Sequence, residues 1–326
     1  MNRRTACLNV HNNKYNLEPC DVQQRGFRLM PPIYIEQLEE LNLVCPKRVE
    51  VLWPRTRDTD IPVLRDRETG VCFLSEQPDL NTHYAEKTIG KKKQAEVQTR
   101  TGLIELKRND DLQRRLDQTQ QLATGKAVCD FGTGMGHYLT EVRHFASSLT
   151  GVEIRQDYIE IINERLGSQV EMVRDLSESK YQFDFVTLFH VLEHIPDQLA
   201  VLSSIFAKLK PGGQVFIEVP HARDYLSDKL AHPEYRDFIY WSEHLVLHTR
   251  QSITAFLKQS GFDEIRVSGF QRYGYANHLY WLRHEKPGGH EHFAHMSCPE
   301  FDAHYAAFLG QQDATDTLIA TAKKFQ

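Results

Sequence analysis

Apolar residues in the second half of the chain fall into short runs that alternate with longer amphipathic stretches. The runs have the length of buried strands, whereas the stretches between them carry apolar residues at helical spacing. Buried strands separated by helices predict βαβ units, and therefore an α/β fold with a doubly wound, mostly parallel sheet. The predicted strands cover residues 128–131, 149–153, 170–173, 183–189, 215–219, 264–267 and 317–321.

A different pattern precedes this alternation. Apolar and polar residues alternate over 49–53, and two apolar runs within 63–74 flank a turn, which predicts a small β module containing a hairpin. Residues 84–122 are charged and carry leucines at helical spacing, which predicts one or two amphipathic helices that cap the site. The predicted organisation is an N-terminal extension with a β module (1–90), a helical cap or linker (91–126) and a main domain (127–326) with an insertion at about 270–316.

A glycine-rich turn follows the first strand of the main domain and precedes a predicted helix over residues 137–146. Asp130 precedes Gly132, Gly134 and Gly136, which have the spacing GxGxG. Glycines here let the backbone adopt positive φ and approach a ligand more closely than a Cβ would allow. The dinucleotide fingerprint is GxGxxG, and a carboxylate at position 130 would repel a pyrophosphate. The loop therefore favours an adenosyl ligand without phosphates over a nicotinamide dinucleotide.

Five segments, in order, resemble the motifs of class I S-adenosylmethionine-dependent methyltransferases. The resemblance implies a seven-stranded, mostly parallel Rossmann-like methyltransferase sheet, S-adenosylmethionine as cofactor and S-adenosylhomocysteine as product. The segments are Asp130 with its glycine loop, the strand ending at Glu153, Asp175, residues 183–194 ending in Leu-Glu-His, and Leu-Lys-Pro-Gly-Gly at 209–213.

The same resemblance implies a role for individual residues in holding the cofactor. The loop backbone near Met135 would lie beside the methionine part, and Asp175 near the adenine amino group. Glu153 would accept hydrogen bonds from both ribose hydroxyls, which suits a carboxylate because it has two acceptor oxygens. The predicted cofactor-binding residues are Asp130, Gly132, Gly134, Met135, Gly136, Glu153, Ile154, Asp175, Leu176 and His190.

Residues 275–282, 286–290 and 316–319 resemble a bacterial methyltransferase group associated with surface-polysaccharide and modified-sugar pathways. This resemblance implies a small-molecule acceptor, a hydroxyl of a sugar or nucleotide-linked sugar. An O-methyltransferase of quinone or natural-product type stays open, as does a non-catalytic adenosyl-ligand binding protein. A nicotinamide-dependent dehydrogenase is disfavoured by the glycine spacing.

Three histidines are the predicted catalytic residues. His190 directly follows the fourth strand, and imidazole titrates near neutral pH, so it is the first candidate for a general base, with a loop-holding or cofactor-contacting role as the alternative. At helical spacing His194 would share a face with His190, with a packing and hydrogen-bonding role at the helix start as the alternative. His221 follows the fifth strand, where substrates sit in such sheets, with a structural role as the alternative. Two such histidines can also bind a metal, but HExxH is absent and no metal is predicted. Glu218 is predicted to be structural.

The predicted insertion is dense in histidine, tyrosine and tryptophan. This composition fits a polar-aromatic wall that stacks on a sugar ring, and it also fits an ordinary amphipathic surface through which the chain would form a homodimer.

The amino-acid composition of the chain argues against several classes of function. The net charge of −5 and pI near 6.3 argue against a nucleic-acid partner. The six cysteines include no CxxC, so neither a zinc site nor a disulfide framework is predicted. No run approaches the roughly 18 apolar residues of a membrane span, and the N-terminus has no signal-peptide core, which predicts a cytoplasmic protein.

Overall fold

A seven-stranded sheet is the centre of the fold in the part of the chain that the computed structural model describes, residues 31–78 and 110–325. Predictions for residues 1–30 and 79–109, which include much of the expected cap, lie outside these residues. The strands are β1 (Val49–Trp53), β2 (Val63–Asp66), β3 (Cys72–Leu74), β4 (Ala127–Phe131), β5 (Ser148–Val152), β6 (Glu171–Val173), β7 (Phe183–Phe189), β8 (Leu209–Pro220), β9 (Val246–Leu247), β10 (Asp263–Phe270) and β11 (Thr317–Lys323).

The order of this sheet is β10-β11-β8-β7-β4-β5-β6. Strands β4 to β8 pair in parallel, and β11 is antiparallel to both of its neighbours. The chain moves outward in one direction from β4 and in the other from β7, so the switch point lies between these two strands. Ligands of open α/β sheets bind at the carboxyl ends of the strands beside the switch point. The predicted doubly wound, seven-stranded sheet is confirmed.

Helices cover both faces of the sheet and bury the strands from both sides. On β7, Val186 and Leu188 pack into one apolar layer, and Phe185 packs into the opposite one. Burial on both faces explains why these strands are continuous apolar runs in the sequence. The helices are α1 (Ile33–Glu40), α2 (Asp110–Ala123), α3 (His137–Val142), α4 (Gln156–Leu166), α5 (Gln198–Lys208), α6 (Pro233–Ile239), α7 (Arg250–Gln259), α8 (Tyr275–His284), α9 (Gly289–His292) and α10 (Pro299–Gln311).

Two predicted element boundaries differ from the structure. The helix expected over 137–146 ends at Val142, and Ser147 N–H then donates to Lys126 O at 2.8 Å, which draws the chain back toward the sheet. The Leu-Lys-Pro-Gly-Gly segment, which precedes the predicted strand, forms the first residues of β8. The register between β7 and β8 shifts there, and Gly212 adopts a φ of +75°, which explains the glycine at that position.

A second, antiparallel sheet has the order β1-β2-β3-β9. The predicted hairpin is present as β2 and β3, with Val63 paired to Leu74. Its fourth strand, β9, comes from the main domain and pairs Leu247 with Cys72. The β module is therefore completed by a segment that lies far along the chain, and the predicted domain boundary at residue 90 falls outside the described residues.

The residues of the predicted insertion separate two strands that pair with each other. Phe270 at the end of β10 pairs with Thr317 at the start of β11, and helices α8, α9 and α10 lie between them in the chain. Among the helices of residues 31–78 and 110–325, none combines the length and the apolar character that crossing a bilayer requires.

Candidate active site

The glycine loop between β4 and α3 has the backbone that the sequence predicts. Gly132, Gly134 and Gly136 have φ values of +74°, +56° and +72°, where residues with a Cβ are strained. A Cβ built on Gly132 would lie 2.5 Å from Val191 Cγ2, whereas one on Gly134 would meet nothing within 4 Å. All three glycines therefore suit this left-handed backbone, and beside Gly134 there is also room for a ligand.

Glu153 lies directly after β5 and beside this loop. Its Oε2 accepts a hydrogen bond from Gly134 N–H and its Oε1 one from Arg155 N–H, both at 2.9 Å. The side chain is buried, and burial raises its pKa although these backbone hydrogen bonds oppose the rise. The structure thus brings Glu153 to the glycine loop, as the predicted site requires.

Asp130 has a bracing contact that the sequence did not predict. Its Oδ1 accepts a hydrogen bond from Thr187 Oγ1 at 2.7 Å, which joins β4 to β7 at the switch point. Only 3% of Asp130 is exposed, and burial raises its pKa. One of its two carboxylate oxygens is therefore occupied by a hydrogen bond within the sheet.

The remaining predicted cofactor residues differ in exposure. Ile154 is 54% exposed, and the exposed Asp175 caps a short helix by accepting from Ser177 N–H at 2.8 Å. Met135 is half-buried, and its carbonyl oxygen accepts from Arg165 at 3.1 Å. The side chain of Leu176 is only 2% exposed and packs into the apolar core, so its predicted cofactor contact falls to its backbone.

A cavity of about 400 Å³ opens at the carboxyl ends of β7 and β8, and all three predicted catalytic histidines line it. The cavity wall adjoins the glycine loop, because His190 precedes Val191, the residue that a Cβ on Gly132 would touch. The sequence missed much of the remaining lining, which comes from distant segments: Arg57, Asp224, Tyr235, Trp241, Arg272 and Asp316.

Both ring nitrogens of His190 face carboxylates. Nδ1 lies 3.2 Å from Glu193 Oε1, Nε2 lies 3.0 Å from Glu218 Oε1, and Arg272 Nη1 is 3.2 Å from the same Nε2. Burial alone would lower the pKa of His190, but the hydrogen bonds to the two glutamates outweigh it and raise the pKa. His190 also has a φ of +56°. Both ring nitrogens of His190 are therefore engaged, an arrangement that fits the loop-holding role given as the alternative for this residue.

Glu218 connects the sheet to helix α2. This fully buried carboxylate on β8 is contacted by Arg114 at 2.7 and 3.0 Å and by Arg115 at 2.8 Å. Burial would raise the pKa of Glu218, but His190 and the two guanidinium groups hold it far below its usual range. A buried glutamate within an apolar strand requires cationic or hydrogen-bonding partners. Glu218 was therefore the sequence feature from which the two arginines could have been predicted.

His194 is not placed by an α-helix. Residues Leu192–His194 form a single 3₁₀ turn, so the predicted i, i+4 face with His190 is wrong. The left-handed backbone at His190 prevents a continuous helix from starting there. His194 Nδ1 instead lies 2.9 Å from Glu243 O, and because a carbonyl oxygen can only accept, Nδ1 is the donor of this hydrogen bond.

His221 is buried at the end of β8. Its Nδ1 lies 2.9 Å from Thr315 O, and its Nε2 is 3.7 Å from Asp313 Oδ1. Burial lowers the pKa of His221 to about 4, so the ring is neutral at ordinary pH.

The predicted polar-aromatic wall is wrong for its central members. Trp281 is 2% exposed and packs against Tyr235 and Leu226. His278 is also buried, stacked on Tyr225 with its Nδ1 at 2.8 Å from Tyr305 Oη. These aromatic residues form a small core beneath α8, because the helix turns them inward.

Comparisons with known proteins point to one family. The family model described as a methyltransferase domain matches residues 104–267, just over half of the chain. Over 109 residues the chain is 33% identical to a ubiquinone biosynthesis O-methyltransferase of Pseudomonas fluorescens, covering 31% of this chain and 47% of the relative. A protein of the same name from Coxiella burnetii is 28% identical over 111 residues, with the same coverage. The chain spans about half the length of the curated relatives it matches.

Solved structures with a related fold include a SAM-dependent methyltransferase from Archaeoglobus fulgidus, at 18% identity and a TM-score of 0.47. That likeness covers 66% of this chain and 94% of the other. Another is Haemonchus contortus phosphoethanolamine N-methyltransferase 2 in complex with S-adenosyl-L-methionine, at 19% identity and a TM-score of 0.42, covering 67% of this chain and 53% of the other.

Proposed function

The chain belongs to the methyltransferase domain family, with the class I fold and S-adenosylmethionine as its methyl donor, and we propose that the acceptor is a hydroxyl group of a small polar molecule, a sugar or a nucleotide-linked sugar. The observation that carries this proposal is the cavity at the ends of β7 and β8, which is lined by histidines, carboxylates and aromatic rings and adjoins the glycine loop. An acceptor in that cavity would lie next to the methyl donor.

The loop and Glu153 fit the cofactor. The open space beside Gly134 admits a ligand against the backbone of residues 132–136, and the Glu153 carboxylate lies at the edge of that space. We place the ribose hydroxyls on Glu153 and the adenine near Ile154 and Asp175. When bound, S-adenosylmethionine supplies an electrophilic methyl group on its sulfonium centre.

The cavity lining suits an acceptor with several hydroxyl groups. Asp224 and Asp316 provide carboxylate acceptors, and Trp241 provides an aromatic face of the kind that packs against a sugar ring. Arg57 lies 3.7 Å from the Trp241 ring centroid at the same wall, and its positive charge suits an anionic substituent such as a nucleotide phosphate.

We place His194 against the acceptor oxygen. The hydrogen bond from its Nδ1–H to Glu243 O leaves Nε2 as the nitrogen for a ligand, and about a quarter of the side chain, 23%, is exposed. His190 has both nitrogens engaged and holds the cavity wall. His221 is oriented by Thr315 O and forms the cavity wall on the β8 side.

O-methylation of a quinone precursor or another phenolic compound is the second candidate. The observation that favours it is the similarity to ubiquinone biosynthesis O-methyltransferases, together with the apolar side chains of Phe238, Ile239 and Leu247 in the cavity lining. A flat phenol would pack on these side chains and on Trp241.

Calorimetric titration of the full chain with S-adenosylmethionine, S-adenosylhomocysteine and NAD tests the cofactor site. Both adenosyl ligands should bind and NAD should not, and Glu153→Ala should abolish binding, while Glu160→Ala on the exposed face of α4 should leave it unchanged. Binding of NAD alone would refute the assignment. A methyl-transfer screen of nucleotide sugars, free sugars and catechols then decides the acceptor: turnover confined to the catechols would replace the sugar with the phenolic class.

A further inference from the structure

Three possible metal-ligand side chains meet in the cavity wall. Glu193 and His194 lie in the turn after β7, and His244 lies in the loop before β9. One donor atom from each falls within 4.8 Å of the other two. All three residues line the cavity in which we place the acceptor.

The carboxylate of Glu193 is only half satisfied. Its side chain is completely buried, and Oε1 faces His190 Nδ1 at 3.2 Å. Within residues 31–78 and 110–325, Oε2 has no hydrogen-bond partner. Leaving a buried polar atom without a partner costs about 1–3 kcal/mol, and more when it is charged, so a group of opposite charge is expected to fill this position.

The two histidines present the nitrogens that a metal ion requires. The Nδ1 of His194 donates to Glu243 O, which makes Nε2 the nitrogen that can bind an ion. Metal-binding histidines commonly have this arrangement, with the second nitrogen held by a backbone carbonyl. The ring of His244 lies 5.0 Å from that of His194, and its buried Nδ1 has no hydrogen-bond partner in the described part of the chain.

We propose that Glu193, His194 and His244 bind a divalent first-row transition-metal ion, such as Zn²⁺ or Mn²⁺. Two imidazoles and one carboxylate are a ligand set for such ions, and three protein ligands leave coordination positions open. His190 serves as the outer partner that orients the ligating carboxylate, since its Nδ1 contacts Oε1, which lies 3.9 Å from His194 Nε2, while Oε2 has no hydrogen-bond partner among the described residues.

The open positions face the cavity, so an acceptor hydroxyl can complete the coordination. With the ion bound, His194 Nε2 acts on the acceptor oxygen through the ion rather than by direct contact. A bound cation lowers the pKa of a coordinated hydroxyl, and the proton released from that oxygen passes to water. This use of the ion rests on the proposed function, whereas metal binding itself does not.

Metal binding can be measured without the methyl acceptor. The full chain, free of any histidine tag and treated with a chelator, is titrated calorimetrically with Zn²⁺ and Mn²⁺, and with Co²⁺ while its visible absorption is recorded. One ion should bind, and His244→Gln and Glu193→Gln should each weaken binding at least about 100-fold, since even an outer partner of a metal ligand contributes 10–100-fold. His304→Ala, an exposed histidine on α10, is the matched control and should bind as the wild type does.

Retained S-adenosylmethionine binding shows that each variant is folded. Failure of the wild type to bind any of the three ions, or equal affinity in His244→Gln and His304→Ala, would overturn the metal site. Methyl transfer that continues undiminished in the chelator-treated enzyme would overturn the role of the ion in acceptor binding while leaving the proposed function intact. Failure of the chain to bind S-adenosylmethionine would remove the proposed function, and the titrations would still decide the metal site.

Discussion

Arg114 on helix α2 donates hydrogen bonds to both carboxylate oxygens of Glu218 on β8, at 2.7 and 3.0 Å. Glu218 also contacts His190 at 3.0 Å, so one buried carboxylate joins the helix that follows residues 79–109 to the wall of the candidate active site. A disturbance of α2 would therefore be transmitted to the cavity.

Replacing the charge of Glu218 should be severely destabilising. Glu218→Gln leaves two guanidinium groups beside a buried, uncharged amide, and breaking a buried ion pair from one side costs about 3–5 kcal/mol. Urea unfolding measures the change. The matched control is Glu264→Gln, which removes the exposed pair with Lys323 and should cost no more than about 1 kcal/mol. Equal losses in the two variants would contradict the buried network.

A substitution in the glycine loop should lower cofactor affinity, whereas a similar substitution elsewhere should lower only stability. Gly134→Ala places a methyl group in the space assigned to the cofactor, and calorimetry should show an affinity for S-adenosylmethionine at least about tenfold lower. Gly125→Ala is the control, because Gly125 also has positive φ, at +71°, and a Cβ built on it would meet no atom within 4 Å. Both variants should lose a similar 1–2 kcal/mol or so of unfolding free energy from backbone strain. Unchanged affinity in Gly134→Ala would show that the ligand lies elsewhere.

Thr187→Val should measure how much the hydrogen bond between Thr187 and Asp130 contributes to stability. The substitution keeps the shape of the side chain but removes the donor to Asp130, and leaving a buried carboxylate oxygen without it should cost about 1–3 kcal/mol. Chemical denaturation measures this cost. Thr254→Val is the control, because its hydroxyl only adds a bond to a helical carbonyl, Arg250 O. If Thr187→Val were as stable as the control, the Asp130–Thr187 contact would not brace the sheet.

Asp224 should make stability depend on pH. Burial, followed by the nearby charge of Asp316, raises the pKa of Asp224 to about 7 in the folded protein. Between its unfolded value near 3.9 and pH 7 the folded state holds the extra proton, so this group's contribution to stability falls as pH rises. The unfolding free energy of the wild type relative to Asp224→Asn should therefore fall by up to about 1.4 kcal/mol per pH unit from pH 5 to 7 and level off above. If the unfolding free energies of the two proteins changed with pH in the same way, burial would not have raised the pKa of Asp224.

Local patterns in the chain predicted the sheet and the cofactor side of the site. The strands of the main sheet are buried on both faces, so their apolar runs stand out between amphipathic helices, and a positive-φ turn beside a ligand requires glycine. The resemblance to class I methyltransferases implied that Glu153 contacts the cofactor, and the structure places it beside the loop because strands β4 and β5 are parallel neighbours. Such features depend on a few adjacent residues and one pairing rule.

The acceptor side depends on contacts between distant segments, and only the tertiary structure decided it. The meeting of His244 with Glu193 and the docking of Arg114 on Glu218 leave no local periodicity. Sequence spacing even misdirected the interpretation of His194, because a left-handed residue at 190 and a 3₁₀ turn replace the expected helix. Hydrophobic periodicity determines which elements form and what lies at the ends of neighbouring strands. The positions of polar side chains around a cavity depend instead on how loops from separate elements pack together, which the sequence does not encode locally.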